Sequence, residues 1–175
     1  DQIKALFEGL TPEMKATEPA QKIAEQLENL KSTEVGAVAP DFSAPTPTGS
    51  ELALSDVTSN AKLTLVDFWA AWCRPCRAEN PNIVSVYNKY HEKGFDVLGV
   101  SLDNKEEQWK TAIESDGLEW NHISNLQRFQ DPIARLYNIN AIPAAFLLDE
   151  NGVIVARDLR GPALEQKVAE ILGKS

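Results

Sequence analysis

The sequence predicts an α/β fold, a mixed sheet flanked by helices, and three observations lead there. Lys62–Trp69 is almost continuously apolar, as a strand buried on both faces of a sheet would be. A helical pattern from about Arg74 to His91 and a second apolar run, Phe95–Leu102, follow it. Strand, helix and strand at that spacing make a right-handed parallel crossover. Finally, Glu150-Asn151-Gly152 separates the runs Ala144–Asp149 and Val153–Arg157, and Asn-Gly between two such runs signals a hairpin.

In chain order, residues 1–34 read as a helical N-terminal segment and 35–175 as the main domain. The segment has one apolar stripe at Ile3, Leu6, Phe7 and Leu10, a helix start at Thr11-Pro12-Glu13, and a second stripe at Ile23, Leu27 and Leu30. Such a segment either folds against the main domain or is the tail of an upstream domain. Pro, Gly and Ser then rise over Val35–Asn60, with extended pieces expected around Phe42 and Leu52–Leu54. The helix after Arg74 turns Ile83, Val84, Val86, Tyr87 and Tyr90 inward, and Pro81 inside it predicts a kink. His91 is expected in its exposed last turn, with Gly94 as the stop.

Residues 103–140 read as an α/β insertion before the strand that follows Ile142-Pro143. Asp103-Asn104 is expected to cap a helix with Trp109, Ala112 and Ile113 inside, ending near Gly117. Trp120–Ile123 fits a short strand, and Asp131-Pro132 starts a brief helix burying Ile133, Leu136 and Tyr137. Trp109, Trp120 and His122 are most simply core or surface residues of that lobe. A last helix, Pro162–Leu172, should place Leu164, Val168, Ile171 and Leu172 inward and close at Gly173.

Length and composition bound the function. At 175 residues and 43% hydrophobic content, one domain with a short appendage can bury a real core. A formal charge of −9 argues against nucleic acid or an anionic membrane surface as partner. No apolar run approaches the ~18 residues of a membrane span, so membrane contact is expected only through an anchor outside this sequence. Without an initiator Met or a visible leader, a chain starting at Asp1 reads as a mature or trimmed product.

The chain's two cysteines, Cys73 and Cys76, stand where the apolar strand gives way to the helix. Positions i and i+3 share a helix face within disulfide reach. Zinc would need two more ligands, and His91 and His122 lack the spacing. Covalent haem needs His after the second cysteine, where Arg77 stands. A structural disulfide closing so short a loop removes little unfolded-state entropy. A dithiol redox centre is the reading the residues favour. Cys73 at a helix N-terminus meets unpaired N–H groups worth about half a positive charge, which stabilises thiolate. Arg74 adds a full charge beside it, or is a solvated surface arginine. Cys76, one turn deeper, should be the less exposed of the two. Cys73 then attacks a disulfide and Cys76 resolves the mixed disulfide. Asp67 is the anomaly of the strand, since a buried unpaired carboxylate is costly. It is either a general base with a raised pKa or a solvated residue.

VDFWAAWCRPC with Pro81 five residues on resembles thioredoxin. The longer pattern resembles the thioredoxin-like thiol–disulfide interchange proteins of the TlpA/ResA type, through 35–49, 68–81, 94–103 and 141–161 in that order. The resemblance spans about four fifths of the chain. It implies a thioredoxin-like fold and exchange with protein thiols and disulfides, the Cys73–Cys76 disulfide being the only redox group, with no metal or organic cofactor. Another thiol protein would recycle the pair. It implies that Asp67 trades protons with the resolving thiol, although the lysine accompanying that aspartate in thioredoxin is replaced by Gly99. Glu79 falls at an often acidic position and either assists or solvates the helix. Ile142-Pro143 is expected to be cis and to face the cysteines. Trp72, Arg74, Pro75, Ile142 and Pro143 would then shape the substrate surface, with the 103–140 insertion contacting a partner. The resemblance also implies a reductant in the bacterial periplasm, membrane-tethered in a longer chain as one option, with c-type cytochrome maturation among its tasks. Two rivals remain: a peroxiredoxin-like peroxidase, and a non-catalytic module with a relic disulfide.

Overall fold

The computed structural model describes residues 2–173. Three helices come first: α1 (Gln2–Glu8), α2 (Pro12–Lys15) and α3 (Glu18–Ser32). The hairpin β1 (Ser43–Pro45) and β2 (Glu51–Ala53) leads to α4 (Leu54–Thr58), then to β3 (Leu63–Trp69), α5 (Arg74–Tyr90) and β4 (Phe95–Ser101). The lobe supplies α6 (Glu106–Ser115), β5 (Asn121–Ile123) and α7 (Pro132–Leu136). The hairpin β6 (Ala144–Asp149) and β7 (Ile154–Arg157) and the helix α8 (Pro162–Leu172) complete the chain.

The central sheet runs β5-β4-β3-β6-β7. β3 pairs in parallel with β4 and antiparallel with β6, so the sheet is mixed as expected. Every residue of β3 is buried. Because strand side chains alternate, Leu63, Leu65 and Trp69 join one core with α5, α6 and α8, while Val66 and Phe68 join another with α4 and α7. That period puts Asp67 on the first face, the one that also holds Cys73 and Cys76.

Each rim of the sheet is partly covered. Along β7, Gly36 N–H donates to the Ile154 carbonyl, Ile154 N–H to Ala37 and Ala39 N–H to Gly152. Beside β5, Ser124 N–H donates to the carbonyl of Pro45 in β1.

Several expectations need correction. Asp103 does not cap α6; Lys105 holds that position, and the Asp103 carboxylate turns back into the core. The insertion is less an appendage than a sheet element, since β5 pairs in parallel with β4, with His122 opposite Gly99. α4 was not foreseen: Asp41 accepts from Ser55 N–H and Asp56 from Ala53 N–H, holding a five-residue helix. Ile171 is 39% exposed rather than inward. Asp131 does cap α7, through Ile133 N–H, and Thr11 caps α2, through Met14 N–H. The stripe of α1 faces solvent at Ile3 and Leu6, and α3 meets the main body where Asn29 donates to the Arg135 carbonyl of α7.

Candidate redox site

β3 ends at Trp69, and a tight turn, closed by Cys73 N–H to the Ala70 carbonyl, delivers Cys73 to the N-cap of α5. Pro75 sits in the first helical turn, where its missing N–H has no helical partner to lose. Cys73 and Cys76 form a disulfide with Cα atoms 5.3 Å apart. The free helix N-terminus is aimed at sulfur: Cys76 N–H donates to Cys73 Sγ at 3.3 Å. Cys76 is the less exposed thiol, but only just, at 2% against 4%. The sulfurs are therefore reached through their exposed neighbours Trp72, Arg74 and Pro75.

The turn is clamped from both ends of one residue. Ala71 N–H donates to both oxygens of Asp103, at 3.1 and 3.0 Å, and the Ala71 carbonyl accepts from Arg77 Nη1 at 3.0 Å. Ser101 Oγ–H also donates to Asp103, and burial pushes this carboxyl up from its ordinary value. Arg77 in turn grips Asp116 through Nε and Nη2, while Asn80 donates to the same carboxylate. Burial would raise the Asp116 pKa, but these donors hold it below the usual range. Sequence reasoning missed this set. The available signal was position: Asp103 follows an apolar strand beside the cysteine-bearing one, at the carboxyl ends where such sheets gather their chemistry.

Asp67 lies between Gly99 of β4 and Ala145 of β6 and is only 5% exposed, so the solvated reading fails. Burial, then the negative charge of Glu79, pushes its pKa up to about 7, with Arg160 opposing. Glu79 is itself placed by Asn82 and by Gly161 N–H, both donating at 2.8 Å. No lysine could replace Gly99 here, because even a Cβ would meet His122 Nδ1 at 2.5 Å. Ile142-Pro143 is cis, as expected. Ala144 pairs with Phe68, so the antiparallel register brings Pro143 beside Trp69, and Arg160 donates to the Pro143 carbonyl. Ile142 packs against the core that holds the cysteines.

The nine residues singled out from sequence thus gather at one end of β3. The arrangement offers a dithiol that can open and close and, on the same face of the sheet, a carboxyl titrating near neutrality. Among the described residues no His, Cys, Asp and Glu group of three or more could hold a metal ion.

Comparison with known proteins agrees with this geometry. The AhpC/TSA family model matches residues 35–157. A "Thiol-disulfide oxidoreductase ResA" of Geobacillus kaustophilus is 32% identical over 120 residues, 69% of this chain and 66% of that one. The chain thus spans about two thirds of that relative's length. The thioredoxin domain of a thiol-disulfide oxidoreductase from Bacteroides vulgatus superposes with a TM-score of 0.74 at 37% identity, over 80% of this chain and 99% of that one. A thiol:disulfide interchange protein from Bacteroides sp. gives 0.73 at 38%, over 82% and 93%.

Proposed function

We propose that this chain, which belongs to the AhpC/TSA family, is a thiol–disulfide oxidoreductase of thioredoxin-like fold that reduces disulfides in client proteins through Cys73 and Cys76. The observation that carries this reading is the Cys76 N–H aimed at Cys73 Sγ from the start of α5. That donor, with the helix dipole behind it, stabilises Cys73 as thiolate once the pair is reduced.

The Cys73 thiolate attacks one sulfur of the client disulfide. A Cys73–client bond forms, the client S–S bond breaks, and the other client sulfur leaves as thiolate and takes a proton. Cys76 passes its proton to Asp67, which titrates near pH 7, and attacks Cys73 Sγ. The internal disulfide closes and the second client thiolate leaves, to be protonated. Two electrons and two protons have then reached the client. Glu79, by keeping negative charge beside Asp67, sustains its affinity for the proton.

The experiment is a trap. Cys76→Ser should accumulate a mixed disulfide with a synthetic disulfide peptide through Cys73, while Cys73→Ser should not. Should neither variant form an adduct, or should Cys73 resist alkylation at neutral pH in the reduced protein, the reading falls. Peroxide consumption exceeding disulfide reduction would favour a peroxidase instead.

Likeness to the TlpA/ResA type supports placing this activity in the bacterial periplasm, with apocytochrome c among the clients. A reduction potential near thioredoxin's, about −270 mV, fits a reductant, whereas one near about −120 mV belongs to an oxidant and would overturn that direction.

A further inference from the structure

Six arginines serve a chain whose formal charge is −9, and four of them collect at the cysteine turn. Arg77 points inward, committed to Asp116 and the Ala71 carbonyl. The other three are exposed. Arg74 directly follows Cys73. Arg128 holds its guanidinium 5.8 Å from the centre of the Trp72 ring. Arg160 donates to the carbonyl of Pro143. Among the described residues none of these three forms an ion pair with a carboxylate.

The carboxylates of this end are mostly occupied. Asp67 and Asp103 are buried, Asp116 is gripped by Arg77, and Glu79 accepts from Asn82 and Gly161. Glu107 is exposed and lines a groove of about 400 Å³ beside Trp72. Three guanidinium groups that form no ion pair among the described residues thus lie around the cysteine turn, on a face whose exposed aromatic pair, Trp72 and Phe129, has ring centres 6.2 Å apart. Trp and Arg are the side chains that most often dominate an interface.

From this arrangement we propose that the client segment entering the site carries carboxylates flanking the cysteine it presents, and that Arg74, Arg128 and Arg160 read them. The inference rests on the disulfide-exchange reading above and names the chemistry of its substrate. Net charge pulls the other way: a chain of −9 repels acidic clients at long range, so any preference for them must arise locally.

The test uses the reduced full chain and two peptides with the same internal disulfide, one flanked by Asp and one by Lys. The neutral reagent hydroxyethyl disulfide serves as reference. At about 0.15 M salt, where charges act over about 8 Å and the distant net charge is screened, the Asp peptide should be reduced about tenfold faster than the Lys peptide. The ratio should shrink toward one at about 1 M salt, where the screening length is about 3 Å. It should also collapse in R74Q/R128Q/R160Q. At about 0.15 M salt, equal rates, a faster Lys peptide, or a ratio that survives the triple substitution would overturn the proposal. If hydroxyethyl disulfide itself is not reduced, the exchange reading fails instead. The salt series on the unaltered protein stands even if the triple variant does not fold.

Discussion

Asp67 holds its proton more tightly in the folded chain than in the unfolded one, because burial and the charge of Glu79 lift its pKa from 3.8 to about 7. The stabilisation from that bound proton is fully present below the unfolded value and is lost as pH rises through about 7. A difference of this size amounts to about 4 kcal/mol at most. Asp67→Asn, which carries no charge, should therefore match the wild type near pH 4 and exceed it at pH 8, by up to about 4 kcal/mol in urea unfolding of the oxidised form. The same variant should resolve mixed disulfides about a hundredfold more slowly at neutral pH, having no group to receive the Cys76 proton. His122 works in the opposite sense. Burial lowers it from 6.5 to about 4, so its contribution is present above 6.5 and lost as pH falls through about 4. Asp67 was legible in the sequence because a lone acid inside VDFW contradicts its surroundings. Asp103 was not, since an acid followed by Asn just before a helical stretch has an ordinary use as a cap, and only the fold shows it reaching Ala71, 32 positions away.

At the scale of elements, the pairing of β4 with β5 depends on one missing side chain. A Cβ at Gly99 would lie 2.5 Å from His122 Nδ1 and 3.2 Å from Trp69 Nε1, in a layer where both rings are buried. Gly99→Ala should destabilise the protein by about 1–3 kcal/mol, as overpacked cores do. Amide exchange should quicken at Asn121–Ile123, and unchanged protection there would refute this account of the strand pair. The long elements were readable because each repeats its period: β3 within a residue of its expected start, β6 and α8 with both ends as expected. The short ones were not. α4 has five residues and depends on Asp41, fourteen positions before its bonded partner Ser55. β5 has three residues and acquires its place only from β4.

Across the whole molecule, burial is concentrated around the sheet. α1 and α2 bury no residue, and the buried Ala20 and Thr33 lie in and just after α3. Removing residues 1–16 should accordingly leave the melting temperature within about 4 °C, the equivalent of roughly 1 kcal/mol at this chain length. A larger drop would mean that the leading helices support the redox domain. The covered rims of the sheet bear on how the protein behaves when concentrated. Strip 36–39 along β7 and Pro45 beside β5 occupy backbone groups that would otherwise template a neighbouring strand. Cross-β stacking between copies at those positions would first have to peel the covers away. Fibril growth in a crowded compartment should therefore wait on that local opening, and lag times should shorten when the strip is loosened.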